Sequence, residues 1–232
     1  MKGLWKRLLI VAALAALAFA LAGCIELTQH VTINSDNSAD IEMTVAVDKS
    51  ALESFNSLGG TSTTDAEDPF AKTKTEAEGE GYTVEDYESE DGAKTGFVAK
   101  KHLANASDLA SEMGTSATGP GITVDSDFFK SSYTVDLTMV GEGESADAGD
   151  YSSVMTSRFL LTFPEGSTIG ETNGTPLADD PMTLEWEMSP GSDTVINAVG
   201  TWNNPLGPTL LISCGCCAVL LIVLVVVIVL IV

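Results

Sequence analysis

Leu21-Ala22-Gly23-Cys24 places a thiol directly after two small residues, at the end of an uncharged apolar run from Leu8 to Leu21. Lys2, Lys6 and Arg7 precede that run. A basic start and an apolar stretch form the pattern of a secretory signal, whose positive flank stays inside while the apolar part enters the translocon. Ala22 and Gly23 leave the backbone open to a peptidase, and the Cys24 thiol is a nucleophile able to accept a diacylglyceryl group. The predicted chemistry is lipidation of Cys24 with cleavage before it, so that residues 1–23 are a signal peptide and Cys24 heads the mature chain.

No comparable signal for catalysis follows. His30 and His102 are the only histidines, and neither stands in His-Glu-x-x-His spacing, so polar strand or surface positions account for both. There is no Gly-x-Ser-x-Gly, no P-loop and no Gly-x-Gly-x-x-Gly. Asp36, Ser38 and Asp40 have the first spacings of a calcium loop, but Ile41 and Val47 stand where its Gly and Glu belong, so a plain hairpin turn is favoured. The acidic run Glu85, Asp86, Glu88, Glu90 and Asp91 reads as a solvated hairpin tip. Carboxylates are too numerous for any pair to be singled out as acid and base. Asn105-Ala106-Ser107 and Asn173-Gly174-Thr175 are glycosylation sequons. No catalytic residue, metal or cofactor is therefore assigned, and the chain is read as not an enzyme.

Two further residue sets could bind. Phe128, Phe129, Tyr133, Phe159, Phe163, Trp186 and Trp202 fall on or beside predicted strands. Either they pack an ordinary core, or some of them, with Leu161, line an apolar groove for an acyl chain. Phe128, Phe129, Tyr133, Phe159, Leu161 and Phe163 are the candidate lipid-binding residues. Cys214, Cys216 and Cys217 have three open readings: small-residue packing, palmitoylation or a metal site.

The elements that must position these residues are mostly strands. Ile25, Leu27, Val31 and Ile33 alternate with polar residues, as do Ile41, Met43, Val45 and Val47, with Asn34–Ser38 as turn chemistry between them. Asp48 can cap a short helix from Lys49 to about Leu58. Gly59 to Asp68 is Gly/Ser/Thr-rich and is expected to be mobile. Pro69 opens a polar helix to about Glu78. Tyr82–Tyr87 and Thr95–Lys101 form a second hairpin around Glu90-Asp91-Gly92, and Asn105 or Ser107 starts a helix ending near Gly114. Strands follow at Ile122–Asp125, Tyr133–Met139 and Phe159–Phe163, with an acidic loop over Gly141–Asp150. Met182–Met188 and Thr194–Trp202 are expected to close the domain as a hairpin around Pro190-Gly191. The fold class expected is α+β, a largely antiparallel curved β-sheet with two or three short helices.

Thr209 to Val232 carries no charge over 24 residues. At about 1.5 Å per residue it is long enough, as a helix, to cross a hydrocarbon core of about 30 Å. Residues 209–232 are thus expected to be a transmembrane helix, and 24–208 an extracytoplasmic domain. A cell-membrane protein anchored by lipid at Cys24 and crossing once at its C-terminus is the localisation implied. All 33 acidic residues lie in 24–208 against 8 of the 11 basic ones, leaving −25. Such a surface repels nucleic acid and anionic headgroups at long range, so no nucleic-acid partner is expected.

Cys24-Ile25-Glu26-Leu27-Thr28, then Val31-Thr32-Ile33-Asn34-Ser35-Asp36-Asn37-Ser38-Ala39 and Val45-Ala46-Val47, resemble the start of the LppM family of actinobacterial lipoproteins. The resemblance implies a curved sheet with helices on one side and binding of membrane or envelope lipid, an envelope glycolipid or phospholipid. An anionic headgroup would need a local basic patch such as Lys100, Lys101 and Lys130 to overcome the global field. The function expected is a membrane-anchored surface lipoprotein binding envelope lipid through its outer domain. The alternative is a non-enzymatic structural or protein-interaction lipoprotein whose envelope protein partners the sequence does not name.

Overall fold

The computed structural model describes residues 24–58, 68–141, 155–189 and 191–204. The signal peptide over 1–23, most of the Gly59–Asp68 loop, most of the Gly141–Asp150 loop, Cys214, Cys216 and Cys217 and the span expected over 209–232 lie outside these residues. Among the described residues, no helix is long and apolar enough to cross a membrane.

β1 (Ile25–Ile33) and β2 (Ala39–Asp48) form the first expected hairpin, in register from Ile25 opposite Val47 to Ile33 opposite Ala39. Asn37 closes its turn in the left-handed region, φ 69°, which Asn tolerates better than most residues. The Asp48 carboxylate accepts from the Ser50 N–H at 2.8 Å and so caps α1 (Lys49–Leu58). α2 (Ala71–Gly79) follows, then β3 (Thr83–Glu88) and β4 (Lys94–Leu103), the second expected hairpin. A 3-10 turn and the four-residue α3 (Leu109–Glu112) lead to β5 (Ala117–Ser126) and β6 (Lys130–Met139). The remainder is β7 (Met155–Thr162), β8 (Thr168–Thr172), β9 (Thr175–Pro176), β10 (Thr183–Met188) and β11 (Thr194–Asn203).

These strands make two sheets, one of seven strands in the order β3-β4-β2-β1-β7-β10-β9 and one of four in the order β5-β6-β11-β8. The α+β class is therefore corrected. The described residues are essentially β, and their few short helices form no layer of their own. The core is sheet against sheet, because alternation along the strands gives each sheet one apolar face to bury. One pairing also differs from expectation. β10 and β11 are not a hairpin: β10 pairs with β7 and β9, while β11 pairs with β6 and β8 in the other sheet. β10 and β11 thus lie in different sheets, so a Pro-Gly pair between two alternating stretches does not by itself imply a hairpin. β1 pairs with β7 in parallel, so one junction of the large sheet is not antiparallel.

Candidate functional site

Odd-numbered β1 residues face the inside of the large sheet, and the register extends each into a row across it. The row through Val31 contains Ile41, Leu161 and Leu184; the row through Ile33 contains Ala39 and Leu103. Both rows are buried beneath the four-stranded sheet, with Tyr133, Val135, Leu137 and Ile196 opposite them. Toward the other edge, Phe97 and Ala99 are buried separately, against Ala77 of α2 and the Phe70 ring, centroids 5.8 Å apart.

Between these two packed regions the same face is only half covered. Ile25, Val47 and Met155 form its first row, Leu27 and Val45 its second, and Gln29 and Met43 its third; all seven are half-buried. Met43 and Val45 touch the Phe97 cluster, whereas Ile25, Leu27, Val47 and Met155 belong to neither buried cluster. Gln29 Oε1 is buried and has no hydrogen-bond partner among the described residues. An unpaired buried acceptor costs about 1–3 kcal/mol, so its presence calls for a physical cause.

This strip begins at Cys24. The Cys24 carbonyl accepts from the Asp48 N–H at 2.8 Å, and Ile25 is already paired on both sides, to Val47 and to Met155. No tether separates Cys24 from the middle of the large sheet. Burial, with the Asp48 charge second, pushes the Cys24 thiol above its ordinary pKa, so the folded domain does not activate it.

The candidate lipid-binding residues do not form one surface. Tyr133, Phe159, Leu161 and Phe163 are fully buried between the sheets. Phe159 packs on Trp186 at 6.0 Å and Tyr133 on Phe163 at 6.4 Å. The Tyr133 hydroxyl donates to Asn37 Oδ1 at 3.0 Å. Gly200 lies so close to Phe163 that a Cβ there would stand 2.3 Å from Cδ1, so the ring occupies the space a side chain would need. Phe128 and Phe129 are instead exposed, 51% and 45%, on the turn between β5 and β6.

The expected basic patch is likewise dispersed. Lys100 faces outward between Glu42 and Glu85, at 3.8 and 3.2 Å. Lys101 faces inward and pairs with Glu112, its ammonium 5.0 Å from the centre of the Tyr82 ring. Lys130 is on the far hairpin of the smaller sheet. The polar back of the large sheet instead carries a network the sequence did not reveal. Glu26 meets Lys94 and Arg158, each at 2.5 Å, and Arg158 also meets Glu185 at 3.3 Å. The hydrogen bond from Lys94 is the main cause holding the Glu26 carboxyl below its ordinary range, and the same bond raises Lys94. His30 Nε2 lies 2.8 Å from Thr162 Oγ1, and burial lowers its pKa. His102 Nδ1 sits 2.7 Å from Asp40 Oδ1 at the surface.

Comparison with known proteins agrees with the resemblance in the first strands. The family described as the LppM domain matches residues 26–201. Among solved structures, the NMR structure of the Mycobacterium tuberculosis LppM folded domain is similar, with 14% identity over 80% of this chain and 94% of that one, and a TM-score of 0.43. No curated protein matches.

Proposed function

The chain belongs to the LppM-domain family, and on that premise we propose that it is an envelope lipoprotein, acylated at Cys24, whose outer domain holds a membrane lipid without catalysing a reaction. The observation that carries this reading is the half-covered strip from Ile25 to Gln29, which starts at the residue to be acylated and ends at a buried acceptor with no partner among the described residues.

Acylation at Cys24 brings the open end of the strip to the bilayer surface. A lipid tail lies along Ile25, Val47, Met155, Leu27 and Val45, and a hydroxyl of its polar part donates to Gln29 Oε1. Four residues of strand span about 13 Å, enough for about eight methylenes. At about 0.8 kcal/mol per methylene that is roughly 6 kcal/mol before ordering costs. With the lysines near the sheet already paired to carboxylates, the tail dominates affinity. Binding therefore depends on chain length more than on salt, and a hydroxyl-bearing phospholipid or glycolipid fits better than a headgroup chosen for its charge.

The test is mass spectrometry of lipid that co-purifies with the full chain. Wild type retains lipid in a fixed proportion, while Leu27→Asp, which puts a charge into the strip, retains none at unchanged circular dichroism. Equal lipid recovery from both would reject the strip as the site. Recovery of a stoichiometric envelope protein in place of lipid would favour the interaction reading.

A further inference from the structure

The turn between β5 and β6 has a composition that solution turns avoid. Asp127-Phe128-Phe129-Lys130 puts two aromatic residues at its centre, where Gly, Asn, Asp or Ser usually stand. Only four large hydrophobic residues are exposed among those described, and these two are adjacent, their rings 5.3 Å apart and edge to face.

The turn is also firmly built. The Asp127 N–H donates to the Lys130 carbonyl at 2.8 Å, and the Asp127 carboxylate accepts from the N–H groups of Phe129 and Lys130 at 2.7 and 2.8 Å. Asn204, just past the end of β11, donates its N–H to the Phe129 carbonyl at 2.7 Å and its side-chain amide to the Phe128 carbonyl at 3.2 Å. Both carbonyls of the aromatic pair are thus satisfied inside the protein. That arrangement matters little in water, which would satisfy them anyway, but it is required where water is scarce.

Asn204 also fixes what lies beside the tip. Five residues beyond it begins Thr209–Val232, which is uncharged and dominated by Val, Leu and Ile. Five residue steps cover at most about 17 Å, so the covalent chain tethers the tip to a stretch whose composition favours an apolar medium over water. We propose that Phe128 and Phe129 form a wedge that inserts into the interfacial region of a lipid bilayer.

The wedge lies at the opposite end of the domain from Cys24. Asn37, in the turn that ends β1, donates to Ser126 Oγ at 3.2 Å and accepts from Tyr133, which places the β5–β6 tip beyond that turn. β1 separates the two ends by about 30 Å. With acylation at Cys24, which rests on the function proposed above, contact at both ends lays β1 along the membrane rather than upright on it. The wedge itself does not depend on that acylation.

The test uses the full chain reconstituted in vesicles of phosphatidylcholine with a minor share of phosphatidylglycerol. A benzophenone amino acid is placed at position 129, in a second protein at 128, and in a control at 195. Val195 is as exposed as the pair, 48%, and lies at the other end of β11. On illumination, positions 128 and 129 should give phospholipid adducts at least fivefold above position 195, with protease resistance of the fold unchanged. Adducts no more frequent than at 195 would overturn the wedge. Adducts of 128 and 129 to protein alone would overturn it equally and assign the tip to a protein interface.

Discussion

Gln29 offers the sharpest perturbation, because occupied and empty strips give opposite expectations. Its Oε1 is buried with no hydrogen-bond partner among the described residues, at a cost of about 1–3 kcal/mol. Gln29→Leu removes that acceptor at similar volume and adds apolar surface between Met43 and Phe159, its neighbours across the strands. The lipid-stripped variant should therefore gain about 1–2 kcal/mol. For a domain of this size, 1 kcal/mol moves the melting temperature by about 2–4 °C, so a rise of about 3–6 °C is expected. Once lipid is added back, wild-type Gln29 gains its donor and the variant cannot, so the difference should shrink to within a degree or reverse. Thermal unfolding followed by circular dichroism, on stripped and lipid-replenished full chain, measures both arms. A stripped variant that melts below wild type, or a gain that lipid leaves unchanged, would refute the assignment of that acceptor to a ligand.

Other expectations follow from the same geometry. Cys24→Ala should leave an uncleaved precursor lacking the acyl mass increment on intact-protein mass spectrometry; a normally processed, lipid-labelled variant would contradict acylation at this residue. Because the folded carboxyl of Glu26 is lowered, chiefly by Lys94, its contribution is fully present above the ordinary carboxylate pKa. It is lost as pH falls through the lowered value. Glu26→Gln should therefore cost about 1–2 kcal/mol at neutral pH, discounted for the partial exposure of its partners, and should flatten the acid limb of the stability profile below about pH 4. Leu161→Ala should cost about 2–5 kcal/mol, since Leu161 is fully buried, while leaving the chain-length dependence of lipid binding unchanged in denaturant-free titrations. Gly200→Ala should lower the melting temperature by several degrees, because the new methyl group meets the Phe163 ring.

Much of the strand layout is legible in the sequence, because alternation from Ile25 to Val47 and from Phe159 to Phe163 is a local signal. Which sheet each strand joins is not local. Met182–Met188 and Thr194–Trp202 look like two arms of one hairpin, yet a turn sequence cannot say whether the chain folds back or crosses over. β8 and β9 escape notice because Gly170 and Pro176 interrupt any alternation. The helices weigh less in the fold than in the sequence for a related reason: polar stretches such as Ala71–Gly79 do form helix, but they cover one corner of a sheet instead of forming a layer. The lipid-binding candidates divided by the same logic. Strand aromatics read equally as core or groove, and only the packing partner decides. Tyr133, Phe159 and Phe163 have the opposing sheet over them, whereas Leu27 and Val45, unremarkable in sequence, are only half-buried. The Gln29 acceptor could not be anticipated, since its lack of a partner is a property of three dimensions.

The central claim is that a lipid tail lies along the strip beginning at Cys24, and the most direct measurement is the location of the tail itself. A phospholipid with a photoactivatable diazirine near the end of one acyl chain, incubated with the full chain in vesicles and illuminated, should mark peptides containing Ile25–Gln29 and Met43–Val47. Labelling confined to other peptides, or labelling of these two that Leu27→Asp leaves undiminished, would contradict it.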